Sequence, residues 1–191
     1  MNGIAQDKPF IQELYKNYTP SVNVKKTIET LLLSVPSESL AGLGEIVLTN
    51  VSALSRELKR RRVSTGGRVS DVRGFYEPSG KEQPAQIYLF VDNILEGRSD
   101  FYLKLPFSRN FLFAEVLFHE IGHHVQYWSK SKLTDKEVFA DKHAVELSRM
   151  FFRQHYWFLR PFKVPIMVLS WFMKKLRLVE LVEKHGRVEK R

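Results

Sequence analysis

The chain has 191 residues and contains no cysteine, which excludes both disulfide bonds and thiolate metal sites. Hydrophobic residues make up 43% of it, which is enough to build the core of one domain. The formal net charge is +9, and residues 160–191 hold nine Lys or Arg against three Glu. The first residues lack the basic and apolar segments of a secretory signal, and no run of about 20 apolar residues predicts a transmembrane span. We therefore expect a cytoplasmic protein, one that could also lie peripherally at a membrane.

Apolar periodicity and turn residues predict an α+β chain. Helices are predicted at residues 9–18, at 22–35, after an N-cap at Ser108, at 134–153 and from Pro165 onward. Strands are predicted at residues 45–51, 74–77 and 86–92. The last two strands are joined by a polar loop with prolines, which is typical of a hairpin.

The most informative segment is His119-Glu120-Ile121-Gly122-His123, which reads H-E-x-x-H inside a predicted helix. Residues four apart lie on the same helical face, so both imidazoles can reach one metal ion. Glu120 can then reach a water molecule on that ion, which is the arrangement of zinc hydrolases. The competing interpretation is a surface helix with two histidines and a solvated glutamate.

The surrounding helix favours the metal site over a plain surface helix. An apolar stripe of helical period lies well round the helix from the two histidines, so one side can be buried while the histidines face a cleft. The stripe consists of Phe113, Leu117, Ile121 and Val125. Gly122 is unfavourable inside a helix by about 1 kcal/mol relative to Ala, which suggests that another backbone passes close by.

Catalytic zinc usually takes three protein ligands, and Glu137 is the best candidate for the third. It lies in the next predicted helix, and Asp141 follows it one turn later on the same face. Asp141 could accept the second ring N–H of a ligating histidine. Glu137 also has a competing role, because Thr134 to Glu137 fits the S/T-x-x-E capping box, and a capping glutamate cannot also point at a metal.

Together these motifs resemble a known family. His-Glu-Ile-Gly-His-His at residues 119–124, followed by Glu137, Ala140, Asp141 and Ala144, is similar to the ImmA/IrrE-type metallopeptidases of the wider gluzincin group. Residues 74–76 and 87–89 resemble the strand pair that precedes the active-site helix in that family. The similarity covers roughly residues 40–150.

The resemblance implies a zincin-like fold, in which a small mixed or antiparallel sheet packs on an active-site helix and a glutamate helix, with further helices at both ends. It implies a zinc-dependent endopeptidase with Zn²⁺ on His119, His123 and Glu137, and with Glu120 as the general base. Residues 1–153 would form this domain, and residues 154–191 a basic, apolar helical extension.

The partners expected from this interpretation are a protein or peptide substrate and an anionic surface that binds the basic C-terminal segment. The basic run at residues 59–62 is a second candidate for anionic contacts, although a solvated basic face explains it equally well. The alternative function is a non-catalytic binding module on the same fold, with zinc structural or absent. Its C-terminal segment would engage nucleic acid or an anionic membrane surface.

Overall fold

The computed structural model describes residues 8–63, 66–80, 83–129 and 135–158. Four strands lie within this part of the chain, namely β1 (Phe10–Leu14), β2 (Leu43–Thr49), β3 (Gly74–Glu77) and β4 (Ala85–Phe90). The same residues form helices α1 (Val24–Leu32), α2 (Ser37–Leu40), α3 (Arg56–Arg60), α4 (Val91–Leu95), α5 (Asp100–Lys104), α6 (Pro106–Trp128) and α7 (Lys136–His155). The predicted α+β class is confirmed.

The four strands form one mixed sheet in the order β1-β2-β4-β3. Strands β1, β2 and β4 run parallel, whereas β3 is antiparallel to β4, as expected for the predicted hairpin. Strand β4 is therefore paired on both sides, and β3 lies at an edge of the sheet. This edge position matters below because β3 is also the strand that contacts helix α6.

One sequence prediction about the first segment is wrong. Residues 9–18 were expected to be helical, but β1 forms there and pairs with β2 from Phe10↔Glu45 to Leu14↔Thr49. The Thr49 hydroxyl donates to the carbonyl of Leu14 at 2.7 Å, which fastens the end of the strand. Long-range pairing of this kind overrides local helical preference, and a short sequence window cannot detect it.

One face of the sheet carries the main core. Side chains of β2 and β4 alternate between the two faces, and those on this face are fully buried: Ile46, Leu48, Ile87 and Leu89. Helix α6 packs here against β3, β4 and α1. From the apolar stripe of α6, Phe113, Leu117 and Ile121 are completely buried, as the sequence pattern predicted.

Helix α6 begins at Pro106, which occupies its first turn after the N-cap residue Leu105. The expectation of an N-cap at Ser108 is wrong, because Ser108 lies inside the helix and is buried. Proline suits the first turn since it has no N–H to leave unsatisfied there and its φ is already helical.

The opposite face of the sheet is covered by the connection between β2 and β3. Leu54 and Val69 are buried there against Phe90, and Phe75 and Tyr88 pack against the same cluster. Strand β3 thus presents Gly74 and Tyr76 towards α6, and Phe75 and Glu77 towards this connection.

The chain divides into two compact units, Met1–Phe151 and Phe152–Arg191, and the predicted site residues all lie in the first. The boundary expected between residues 153 and 154 stays a prediction, and the helix expected from Pro165 falls outside the described residues. None of the helices formed by the described residues combines the length and apolar content that a membrane span requires.

Candidate metal centre

Helix α6 brings the two histidines of the H-E-x-x-H motif together. They are one turn apart, and their Nε2 atoms lie 3.1 Å from each other, with the ring planes nearly perpendicular. Both side chains are partly buried. Burial lowers the pKa of His123, and the neighbouring charge of His119 lowers it further. A lowered pKa favours the neutral imidazole, the form in which histidine binds metal ions.

Helix α7 supplies the third donor. Oε2 of Glu137 lies 3.5 Å from Nε2 of His119 and 3.6 Å from Nε2 of His123. Thr134, on which the capping-box interpretation depends, lies outside the described residues. The N–H groups of Glu137 and Val138 donate instead to the side chain of Asp135. Asp135 therefore satisfies the first turn of α7, and the carboxylate of Glu137 faces the histidines.

The approach of α7 to α6 depends on Gly122. A Cβ at this position would lie 2.7 Å from Cα and 2.8 Å from the carbonyl oxygen of Ala140, which is too close for any side chain. The two backbones therefore touch at Gly122 and Ala140. Glu137 is one helical turn before Ala140, so this contact brings its carboxylate to the histidines. Gly122 was expected to lie against another backbone, and that backbone is the first part of α7.

The three donor atoms fit a metal ion. His119, His123 and Glu137 each offer one ligand atom, and these three atoms lie within 4.8 Å of one another, so this group could hold a cation. Nitrogen and oxygen ligands lie about 2.0–2.2 Å from zinc, and a tetrahedral arrangement then separates neighbouring ligand atoms by about 3.3–3.6 Å. The separations of 3.5 and 3.6 Å from Glu137 to the two histidines fall within this range, and the 3.1 Å between the two Nε2 atoms is slightly shorter.

Asp141 contacts His119 from behind. Its Oδ1 lies 2.9 Å from Nδ1 of His119, on the side of the ring away from Glu137. When Nδ1–H donates to this carboxylate, Nε2 is left unprotonated and directed at the group of three donors. This contact was expected for one of the two ligating histidines, and the ring that makes it is that of His119.

Glu120 is buried between α6 and strand β3, with 6% of its surface exposed. Its burial, together with the negative charge of Glu137, raises the pKa of its carboxyl to about 8, and a hydrogen bond from the backbone N–H of Tyr76 acts in the opposite direction. A Cβ on Gly74 would lie 2.7 Å from Oε1 of Glu120, so β3 passes directly over the carboxyl group. A divalent cation nearby would lower the same pKa.

Sequence reasoning missed the residues that fix Glu120 and its strand. His124, the residue after the H-E-x-x-H motif, is buried, with 1% of its surface exposed. Its ring lies 2.9 Å from the carbonyl oxygen of Ala41 and 3.2 Å from the hydroxyl of Tyr76, and it stacks on Trp128. In the sequence, the only signals for this contact were His124, directly after His123, and Tyr76 in the short strand β3.

Comparison of the chain with protein-family models gives no match, and comparison with curated proteins gives none either. Function is therefore inferred from the chemistry of the site and not from kinship. The structure brings together His119, His123, Glu137 and Asp141, and it buries Glu120 beside them.

Proposed function

We propose that the protein is a zinc-dependent endopeptidase of the ImmA/IrrE type with a zincin-like fold, and that it hydrolyses peptide bonds of a protein substrate. The observation that carries the proposal is the convergence of three donor atoms from α6 and α7 at the spacing of a zinc site. A buried carboxyl group on the same helix, Glu120, supports catalysis in particular, because a purely structural metal site needs no base.

His119, His123 and Glu137 would hold the ion. Two neutral imidazoles and one carboxylate would leave a bound divalent cation with net positive charge. When bound, zinc supplies Lewis-acid chemistry, which polarises a carbonyl group and lowers the pKa of a coordinated water towards about 7.

The protein itself would contribute general acid–base catalysis, in which Glu120 transfers one proton. Its carboxylate accepts the proton from the attacking water and then donates it to the nitrogen of the leaving amine. The N–H of Tyr76 fixes the carboxylate, which reduces the reorganisation that the transfer requires.

Strand β3 is the proposed binding edge for the substrate backbone. The N–H of Phe90 donates to the carbonyl of Arg73 at 2.9 Å, so in this antiparallel pair Phe75 and Glu77 also direct their main-chain groups at β4. Gly74 and Tyr76, which alternate with them, direct theirs away from β4. The N–H of Tyr76 donates there to Glu120, so a substrate would pair with the main-chain groups of Gly74 and the carbonyl of Tyr76. A peptide that adds to this edge would pass over the general base.

Metal content of the purified protein is the first test. We expect about one zinc per chain in the wild type and in Glu120→Gln, and a large loss in His123→Ala. His143→Ala is the matched control, because His143 is also a half-buried helical histidine but its ring lies near Ser39, outside the group of donors. Sub-stoichiometric zinc in the wild type, or equal losses in both histidine variants, would contradict the proposed site.

Hydrolysis of a protein substrate is the second test. Glu120→Gln should retain zinc while losing turnover by at least about a hundredfold, since general-base catalysis contributes about 10²–10⁴. The alternative function, a non-catalytic binding module, predicts zinc binding without hydrolysis in the wild type and no functional change in Glu120→Gln.

A further inference from the structure

An uneven charge distribution marks the connection between β2 and β3. Residues 56–73 hold seven Lys or Arg and two Asp or Glu, and no aromatic residue. All six arginines of this stretch have exposed side chains. Arg61 pairs with Glu77 and Arg73 with Glu115 of α6. We refer to the other four as the arginine flank: Arg56, Arg60, Arg62 and Arg68. This excess belongs to the domain that carries the candidate metal centre and is separate from the basic C-terminal segment.

The connection that bears the arginine flank lies directly against the proposed binding strand. Its apolar side chains, among them Leu54 and Val69, cover the face of the sheet to which Phe75 belongs. Arg61 forms an ion pair with Glu77 and lies over the ring of Phe75, with 5.2 Å from its guanidinium carbon to the ring centroid. Glu77 thereby offsets the charge of Arg61 on β3, whereas no member of the arginine flank forms an ion pair among the described residues.

Two members of the flank face each other. Arg62 and Arg68 form an isolated antiparallel bridge, which places two like charges directly opposite one another. Such pairs are destabilising. Among the described residues neither arginine forms an ion pair, so no acid of this part of the chain offsets their repulsion. An anionic ligand between or beside them would do so.

We propose that the substrate segment bound along β3 is acidic, with its carboxylates on the face of the sheet where the arginine flank lies. This inference rests on the proposed function and specifies its substrate class. Because side chains of an added strand alternate between the two faces, every second residue would face α6 and the metal centre. The intervening residues would face the flank, and these are the positions where Asp or Glu is favoured.

A peptide fits the flank better than a nucleic acid does. Non-specific single-strand binders combine basic side chains with exposed aromatic rings on which bases stack, and residues 56–73 provide none. The flank instead borders the outer edge of β3, where the main-chain groups of Gly74 face away from β4 beside Glu120. Charge complementarity next to such an edge selects among peptides without a dedicated pocket for each side chain.

Peptide binding by the zinc-loaded Glu120→Gln protein tests the inference, because the variant holds its ligand without cutting it. Three fluorescent peptides of about ten residues would be compared, with Glu, Gln or Lys at alternate positions and neutral residues between. We expect the Glu peptide to bind about tenfold more tightly than the Gln peptide at low salt, and this preference to shrink as the ionic strength rises.

The preference should disappear when Arg62→Glu and Arg68→Glu are combined in the same background. Lys26→Glu combined with Arg98→Glu is the matched control, since it makes the same change in net charge at exposed residues outside the flank and should leave the preference intact. Equal binding of the Glu and Gln peptides, or a preference that survives reversal of the flank, would overturn the inference. So would an oligonucleotide of equal charge that binds as tightly and depends on the same arginines.

Hydrolysis by the wild type separates this inference from the proposed function. A protein that cleaves Glu and Gln peptides equally well keeps the function and loses the acidic preference. A protein that prefers the Glu peptide but cleaves neither keeps the preference and loses the proposed catalysis.

Discussion

The hydroxyl of Tyr76 lies 3.2 Å from Nδ1 of His124, and this contact joins strand β3 to helix α6. The other ring nitrogen of His124 lies 2.9 Å from the carbonyl oxygen of Ala41. A carbonyl can only accept, so Nε2 carries the proton and Nδ1 accepts from the tyrosine hydroxyl. Burial also lowers the pKa of His124, which keeps the ring neutral and this pattern of bonds intact.

Tyr76→Phe removes that hydroxyl while keeping the ring. It leaves a buried acceptor on His124 unsatisfied, so we expect the free energy of unfolding to fall by about 1–2 kcal/mol. Because Tyr76 also fixes Glu120 through its N–H, turnover should fall severalfold with little change in KM. Urea unfolding and steady-state kinetics measure the two effects.

Tyr88→Phe is the matched control for Tyr76→Phe. Its hydroxyl donates to the side chain of Gln86 at 2.8 Å on the opposite face of the sheet. A comparable loss of stability with unchanged turnover is expected. Equal turnover losses in the two variants would show that Tyr76 has no particular relationship to Glu120.

Gly122→Ala tests whether the backbone contact of α6 with α7 sets the metal centre. The added methyl group would overlap the backbone of Ala140, so α7 must move away and take Glu137 with it. We expect zinc affinity to fall by at least about tenfold, since one of three ligands is displaced. Gly80→Ala is the control, because a Cβ there meets no atom within 4 Å. Unchanged affinity in Gly122→Ala would contradict this account.

The stability of the metal-free protein should depend on pH through Glu120. Its pKa is raised from 4.5 to about 8 in the folded protein, so between these values the folded state binds more protons than the unfolded state. The free energy of unfolding therefore decreases as the pH rises through this window, by up to about 5 kcal/mol.

Glu120→Gln cannot ionise and should lack this decrease, so it becomes the more stable protein towards pH 8. Urea unfolding of both proteins across this pH range, with a chelator present, measures the difference between their free energies of unfolding. Taking the difference cancels the contributions of histidines that both proteins contain. Parallel stability curves across the window would show that the carboxyl of Glu120 is not buried as described.

Asp141→Ala tests the contact behind His119. Loss of the carboxylate removes the acceptor for Nδ1–H and the preference for an unprotonated Nε2. Such outer contacts typically contribute about 10–100-fold to metal affinity, and the exposure of Asp141 places the expected loss near about tenfold. Glu146→Gln removes a charge from the same helix and should leave zinc affinity, measured by competition with a chelator, unchanged.

The centre of the molecule could be predicted from sequence because its signals are local. The apolar stripe through Phe113 and Leu117 predicted the buried side of α6, and the spacing of His119 and His123 placed them on one face. Gly122 indicated a close backbone for a physical reason, the absence of a Cβ. Each of these inferences needs only the periodicity of a helix.

The remaining features depend on contacts distant in sequence. Strand β1 forms because β2 lies beside it, about 35 residues later, and this pairing overrides the helical preference of its own residues. The same holds for Gly74 and Tyr76, whose roles come from the passage of β3 over Glu120. Sequence spacing could not show which strand lies at the sheet edge, since pairing order is a property of the whole sheet.

The contact of Gly74 with Glu120 has a mechanical consequence. In the proposed complex, one short strand would carry the scissile peptide on its outer edge while it holds the proton acceptor by a main-chain amide. Thermal displacement of that strand would move both reacting partners in the same direction. The distance between the Glu120 carboxylate and the peptide bond would then vary less than the position of either group. The two would stay aligned even if β3 itself is not rigid.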